Sequence, residues 1–184
     1  AVIGYADMRR SKEPSKESRL MSANYISSEG KRLQAMSERL FDILIMRNHR
    51  INRRETKMEA LLADAAAVVR PLLEGSGAVF TVEAQPAVLW LERDLMINLI
   101  VNLLDNARKA VGRGGKIRLG GEALPDGGYR ITVEDNGVGI PAGEIDRVRE
   151  AFYRVNKTEA REQSGAGLGL AISSEIVFPH GGVM

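Results

Sequence analysis

The sequence predicts an α+β protein in which a helical hairpin precedes a domain whose helices are segregated from a mixed, mostly antiparallel sheet. Residues 1–57 carry 13 Lys and Arg against 7 Asp and Glu, whereas residues 58–184 carry 13 against 17. Of the 19 glycines, 15 follow residue 111. The apolar spacing is that of long helices in the first part and changes between helical and strand periods in the second. These three observations predict two domains, 1–50 and 51–184.

Composition excludes several classes of protein. Hydrophobic residues make up 44% and charged residues 27% of the chain, which excludes a disordered or collagen-like protein. The absence of cysteine excludes a disulfide framework and a thiolate metal site. No run approaches 18 consecutive apolar residues, so we expect no membrane contact by this fragment. We expect it to be cytoplasmic.

A long amphipathic helix is predicted for the arm, because apolar residues recur at intervals of three and four between Ser22 and Met46. The stripe consists of Ile26, Leu33, Met36, Leu40, Ile43 and Leu44. Pro14 predicts a turn between this helix and a shorter helical segment over residues 1–10. One partner helix cannot cover so long a stripe, so we expect a homodimer through these helices. Basic and acidic residues are interleaved along the arm, which favours a solvated helix face over nucleic-acid binding.

The second domain is predicted to begin with a helix from Glu55 to Leu73, which Gly75 and Gly77 terminate. Further helices are predicted at 94–111 and 168–177, and strands at 79–82, 88–91, 116–122 and 129–134. The sequence Pro125-Asp-Gly-Gly128 separates the last two strands and predicts a hairpin. Helices and strands are therefore segregated, as in an α+β domain.

Polar side chains share one face of the helix predicted at 94–111. Asn102, Asn106 and Lys109 are spaced by four and three residues, which places them on the same side. Two carboxamides and an ammonium can coordinate a hard cation through oxygen and hold phosphate oxygens. Taken alone, the same pattern is also that of a solvated helix face.

Two glycine-rich loops follow. The first loop comes directly after a strand and has the sequence Asp135-Asn-Gly137-Val-Gly139-Ile140. Its glycines allow a flat ligand to approach the backbone, and its carboxylate can accept hydrogen bonds from an exocyclic amine. A tight turn would use the same residues. Gly165-Ala-Gly167-Leu-Gly169 opens a helix and leaves its N–H groups free for an anion. Between them, Phe152-Tyr-Arg154 begins a polar stretch that is long for a plain connection and is typical of a lid.

These four segments, in this order, resemble the N, G1, F and G2 boxes of sensor histidine kinases. The matching sequences are Asn-Leu-Leu-Asp-Asn-Ala-Arg-Lys, Asp-Asn-Gly-Val-Gly-Ile, Ala-Phe-Tyr-Arg and Gly-Ala-Gly-Leu-Gly-Leu-Ala-Ile. Ile3-Gly-Tyr5 and residues 18–47 resemble parts of the dimerisation hairpin of that family. The resemblance implies a partial hairpin without the phosphoacceptor histidine, followed by a Bergerat-type α/β-sandwich of the gyrase, chaperone and histidine kinase superfamily, with its last strands missing.

The resemblance also implies roles for individual residues. Asn106 would be the Mg²⁺ ligand, Asn102 and Lys109 would face the triphosphate of ATP, and Asp135 would accept the adenine amino group. The remaining nucleotide-binding positions that it implies are Gly137, Gly139, Ile140, Phe152, Gly165, Gly167, Leu168, Gly169 and Leu170. Hydrolytic members of the superfamily carry a Glu at the place of Asn102, and an amide cannot act as a general base, which favours transfer to a side chain over hydrolysis.

The implied function is that of the kinase core of a two-component system. Such a core transfers the γ-phosphoryl of Mg-ATP to a histidine upstream of this fragment and then to an aspartate on the receiver domain of a response regulator. His49 and His180 are the two histidines of the chain, and neither has the context of an acceptor, so the fragment should not phosphorylate itself. The alternatives are a serine kinase of the anti-sigma type, which lacks a hairpin arm, and a module that binds nucleotide without phosphotransfer.

Overall fold

The computed structural model describes residues 16–48, 51–153, 155 and 167–184. The first predicted helix of the hairpin, the turn at Pro14, His49 and most of the predicted lid lie outside the described residues. The two-domain division therefore remains a prediction.

The arm consists of one helix, α1, over Lys16–Asn48. Within the residues described, its main contact with the domain is to the last α-helix of the chain. Ser22 is buried on α1, and Tyr25, Ile26 and Glu29, which follow it by three, four and seven residues, are half-buried. Leu33 remains 57% exposed. The side chains of Met36, Leu40, Ile43 and Leu44 lie outside what is described, so dimerisation through the stripe stays a prediction.

The domain contains five strands and three helices among the residues described. The strands are β1 Arg54–Lys57, β2 Val79–Ala84, β3 Val88–Leu91, β4 Lys116–Ala123 and β5 Tyr129–Asp135, and the helices are α2 Met58–Ser76, α3 Arg93–Ala110 and α4 Gly169–Val177. Short 3₁₀ segments occur at Ala142–Glu144, Arg147–Arg149 and Phe178–His180. Each predicted helix and strand of the domain is present, with bounds displaced by a few residues.

One predicted element requires correction. The helix expected from Glu55 begins only at Met58, because Arg54–Lys57 forms a strand that pairs antiparallel with β3. Only Thr56 is buried in this strand, so its sequence carries no alternating apolar signal. The predicted helix stop is confirmed: Gly77 takes φ 73° and its N–H bonds the carbonyls of Leu73 and Glu74.

The strands form two sheets. β1 and β3 make a two-stranded sheet, and the second sheet has the order β2-β4-β5, with β2 and β4 parallel and β4 and β5 antiparallel. Helices α2 and α3 cover one face of the larger sheet and enclose the main core. Its fully buried large side chains include Leu61, Leu62, Leu73, Ile100, Leu104, Ile117 and Leu119. The predicted mixed, mostly antiparallel arrangement is confirmed.

A smaller apolar cluster joins α3 to α4. Leu99 on α3 packs with Leu168, Ile172 and Ile176, all of them buried. Because α3 contributes one side to the main core and another to this cluster, its remaining polar face is held at the boundary between the two. No helix in the described ranges has both the length and the apolar content that crossing a membrane requires.

Candidate nucleotide site

Helix α3 is the centre of the candidate site, and both glycine loops lie against it. The loop after β5 contacts the C-terminal end of α3, and the first residue of α4 lies beside the middle of its polar face. Three segments that are far apart in the sequence therefore meet at one place in the fold.

Asn106 borders the start of α4. A Cβ atom built on Gly169 would lie 3.6 Å from Asn106 Nδ2 and 3.7 Å from its Oδ1, so the carboxamide lies directly against this glycine. Asn102, Asn106 and Lys109 are all half-buried. The common face that their spacing predicted is thus placed next to the N-terminus of α4, where unpaired N–H groups favour an anion.

The ammonium of Lys109 is held by a neighbour that the motifs did not single out. Lys109 Nζ lies 2.6 Å from Asp105 Oδ2, and Arg108 approaches Asp105 Oδ1 at 2.8 Å. Burial alone would raise the pKa of Asp105, but the hydrogen bonds from Lys109 and Arg108 outweigh it and hold that pKa below its ordinary value. The spacing of three and four residues is the sequence signal that could have predicted this cluster.

The first glycine loop is fixed by its own side chains. Asp135 Oδ1 accepts the N–H of Gly137 at 2.8 Å, and Asn136 Oδ1 accepts the N–H of Lys116 at 2.7 Å. Asp135 ends β5 and is exposed. One oxygen of this carboxylate is therefore used to shape the loop, while the other remains available to a ligand.

The same loop is joined to α3 by close backbone contact. Val138 donates its N–H to Ala110 O at 3.2 Å, and a Cβ on Gly137 would lie 2.4 Å from that oxygen. Only glycine fits at position 137 without a shift in the backbone. Gly139 has φ 68°, and Ile140 is exposed beyond it.

The second glycine loop contacts the start of the predicted lid. Phe152 donates its N–H to Gly167 O at 2.9 Å, and a Cβ on Gly167, whose φ is 68°, would lie 2.8 Å from Tyr153 O. Phe152 itself has φ 68°, which costs a non-glycine residue on the order of 1 kcal/mol. Backbone strain is thus concentrated where the two segments meet.

Tyr153 is anchored by residues that the sequence analysis did not predict. Its hydroxyl donates to the carboxylate of Glu144, and the guanidinium of Arg147 lies 4.2 Å from the centre of its ring. Both partners belong to short 3₁₀ segments without an apolar period, so no sequence pattern pointed to them. They fix the chain at Tyr153, immediately after the strained Phe152.

The remaining predicted positions differ in their surroundings. The Leu168 side chain is 0% exposed and packs in the cluster between α3 and α4, so only its backbone can face a ligand. Leu170 is half-buried in the first turn of α4, and Phe152 is 52% exposed. Gly165 lies outside the described residues.

Comparison with known proteins identifies a family for this region. Residues 92–184, half of the chain, match the model for the histidine kinase-, DNA gyrase B-, and HSP90-like ATPases. The matched region contains α3, both glycine loops and α4, and thus every element of the candidate site.

Curated relatives are similar over the same half. Sensor protein kinase WalK of Staphylococcus saprophyticus is 41% identical over 95 residues, which is 50% of this chain and 15% of that protein. Sensor histidine kinase WalK of Bacillus subtilis is 36% identical over 93 residues, again 50% of this chain and 15% of the relative. The similarity therefore spans a small part of each relative's length.

Solved structures extend the likeness to the fold. A mycobacterial sensor histidine kinase, MprB, superposes with a TM-score of 0.62 at 27% identity and covers 71% of this chain and 81% of its own. Full-length ShkA in complex with AMPPNP superposes with a TM-score of 0.70 at 23% identity, covering 91% of this chain and 35% of that one. The second likeness shows the fold alone.

Proposed function

The chain belongs to the family of histidine kinase-, DNA gyrase B-, and HSP90-like ATPases, and from this premise we propose that it is the Mg-ATP-binding core of a two-component sensor histidine kinase. The observation that carries the proposal is the convergence on α3 of a loop built around Asp135 and a helix that begins at Gly169. The likeness to sensor kinases such as WalK and MprB supports this choice within the family.

Recognition of the adenine base is assigned to the loop after β5. Asp135 Oδ1 is occupied by the N–H of Gly137, so Oδ2 is the oxygen that would accept the exocyclic amine of adenine. Gly137 and Gly139 leave no side chain between the base and the backbone, and the exposed Ile140 would cover one side of the ring.

Triphosphate binding is assigned to the junction of α3 with α4. Gly167 and Gly169 present backbone N–H groups at the positive end of the α4 dipole, and Lys109 supplies a cation on the facing helix. Asn102 would donate a carboxamide N–H to a phosphate oxygen. Phe152 lies at the edge of this junction through its hydrogen bond to Gly167.

Magnesium fits the donor set found here. Mg²⁺ prefers oxygen ligands and takes only one or two from the protein, the remainder being water and phosphate oxygens. Asn106 offers such an oxygen beside Gly169, and the described residues contain no cluster of three His, Cys, Asp or Glu that would instead make a self-sufficient site. When bound, the ion would neutralise charge on the phosphates during transfer.

Phosphoryl transfer needs positioning and charge neutralisation more than a covalent protein group. The acceptor would be a histidine upstream of residue 1, in a homodimer formed through the N-terminal helices, and the receiver domain of a response regulator would take the phosphoryl group onward to an aspartate. His180 cannot serve as acceptor, because Nδ1 bonds Ile176 O at 2.7 Å and Nε2 accepts the N–H of Glu92 at 3.1 Å.

Labelling with γ-³²P-ATP tests this proposal. We expect no acid-labile label on the 184-residue chain, and acid-labile label once the chain is extended upstream by its natural sequence. Equal labelling of both proteins, or label mapped to His49 or His180, would contradict the assignment of the acceptor.

A further inference from the structure

The side chains of Asp105, Arg108 and Lys109 form a cluster with more hydrogen bonds than a single surface ion pair has. Lys109 Nζ lies 2.6 Å from Asp105 Oδ2, while Arg108 bonds Asp105 Oδ1 through Nη2 at 2.8 Å and Nε at 3.0 Å. Each carboxylate oxygen thus holds a different cation. The side chains of Asp105, Arg108 and Lys109 are 28%, 29% and 26% exposed. They are therefore better shielded from water than fully exposed ion pairs, which contribute almost nothing to stability.

The cluster lies beside the polar face of α3. Rotation by 100° per residue places Asp105 about 60° from Asn102, with Lys109 between them, and Arg108 farther round the helix. Lys109 is therefore the member that both belongs to the face of Asn102 and Asn106 and is held by Asp105. Arg108 completes the charge balance from the opposite side of the carboxylate.

A lysine side chain that is already held in place loses less conformational entropy on binding an anion than a freely rotating one does. The four-carbon side chain of lysine has several rotatable bonds, and fixing them opposes binding. An ammonium has three donors, so one can bond Asp105 Oδ2 while the others face a phosphate. With two cations and one carboxylate, the cluster keeps a net charge of about +1, which still attracts a triphosphate.

We propose that Asp105 is a positioning residue for triphosphate recognition, holding Lys109 Nζ beside the face formed by Asn102 and Asn106. This inference rests on the proposed function, since it assumes that the phosphates lie at that face. Asp105 acts through Lys109 and has no contact of its own with the nucleotide.

Calorimetric titration with ATP and with adenosine tests the proposal. We expect Asp105→Asn to weaken ATP about fivefold and to leave adenosine unchanged, because only the phosphates reach Lys109. In a Lys109→Met background, Asp105→Asn should have no further effect on ATP. Asp105→Glu, which keeps the charge, should recover part of the lost affinity. Asp64→Asn is the matched control, since it breaks an ion pair with Arg93 away from the site.

Other outcomes overturn the proposal in distinguishable ways. Tighter ATP binding by Asp105→Asn would mean that the carboxylate competes with phosphate for Lys109. An equal loss of ATP and adenosine affinity, or a loss that persists in the Lys109→Met background, would assign Asp105 a purely structural role. If the folded wild-type chain bound neither ATP nor adenosine, the proposed function would fail together with this inference. If wild type bound ATP and Asp105→Asn bound it with the same affinity, the inference alone would be overturned.

Discussion

At the scale of single residues, the Asp135 carboxylate combines loop formation with a proposed ligand contact. In Asp135→Asn the amide oxygen can still accept the N–H of Gly137, but the NH₂ group then points to where the adenine amine would approach, and two donors would oppose each other. We expect ATP affinity to fall by about 1.5–3 kcal/mol in calorimetry. Asp126→Asn is the control, because Asp126 Oδ1 accepts the N–H of Gly128 in the same geometry within the β4–β5 hairpin. Unchanged ATP affinity in Asp135→Asn would remove the base-reading role.

Glycine is the one residue that fits at position 137 without a shift of the backbone. The Cβ of alanine would lie 2.4 Å from Ala110 O, so either the loop or the end of α3 must move. We expect Gly137→Ala to lower the free energy of unfolding by about 1–3 kcal/mol in denaturant titrations, and to weaken ATP as well. Gly143→Ala, where no atom lies within 4 Å of the added Cβ, should change neither quantity. A fully stable Gly137→Ala variant would show that the close contact is absent in solution.

The ion cluster at Asp105 predicts a pH dependence of stability. The folded-state pKa of Asp105 is lowered, because the bonds from Lys109 and Arg108 outweigh the effect of burial, so its contribution is complete above the ordinary carboxyl value of 3.8 and is lost as pH falls through the lowered value. We expect Asp105→Asn to melt at a lower temperature than wild type at pH 7, with the difference shrinking below about pH 4. A difference that stays constant down to pH 2 would contradict this linkage.

At the scale of elements, the helices of the domain could be predicted from sequence because their apolar periods extend over many residues. Strand β1 could not, since it has four residues and one buried side chain, and its conformation depends on pairing with β3. The assignment of β2 and β3 to different sheets also depends on tertiary contacts, because β2 pairs with β4 across an intervening helix.

The sequence predicts those residues of the candidate site that belong to local motifs. It does not predict those whose position depends on tertiary packing. The loop residues Asp135 and Gly137 were identified by their spacing after a strand. The buried side chain of Leu168 and the contacts of Tyr153 with Glu144 and Arg147 follow from the fold, and a local motif contains no information about them.

The end of α4 is tied to the start of α3 by one side chain. His180 bonds Ile176 O and accepts the N–H of Glu92, and Arg53 adds a bond to Pro179 O at 2.9 Å. We expect His180→Ala to cost about 1–2 kcal/mol of unfolding free energy and to speed hydrogen exchange at the Glu92 amide. Phe178→Ala serves as control, because that ring is 83% exposed. Equal exchange rates at the Glu92 amide in wild type and His180→Ala would contradict the hydrogen bond from this amide to His180.

At the scale of the whole molecule, the arm is expected to mediate self-association. Leu33 belongs to the predicted stripe and is 57% exposed in the single chain, as a residue covered only in a dimer would be. In sedimentation equilibrium, we expect wild type to dimerise and Leu33→Asp to be shifted toward monomer, because the dimer would bury a charge. Ser27→Asp, on a different side of α1, should behave as wild type. A wild-type chain that stays monomeric at high concentration would show that the dimer prediction is wrong.

We propose that the polar face of α3 and the two glycine loops form one Mg-ATP site, and calorimetry with a non-hydrolysable ATP analogue tests this claim. In calorimetry of the 184-residue chain with Mg²⁺ present, we expect one site per chain with a Kd between about 1 μM and 1 mM. Removing Mg²⁺ should weaken binding in wild type but not in Asn106→Ala, since that residue is the proposed ligand of the ion. A chain that is folded by circular dichroism yet gives no binding heat at any temperature, or an Asn106→Ala variant with the full Mg²⁺ dependence of wild type, would contradict the claim.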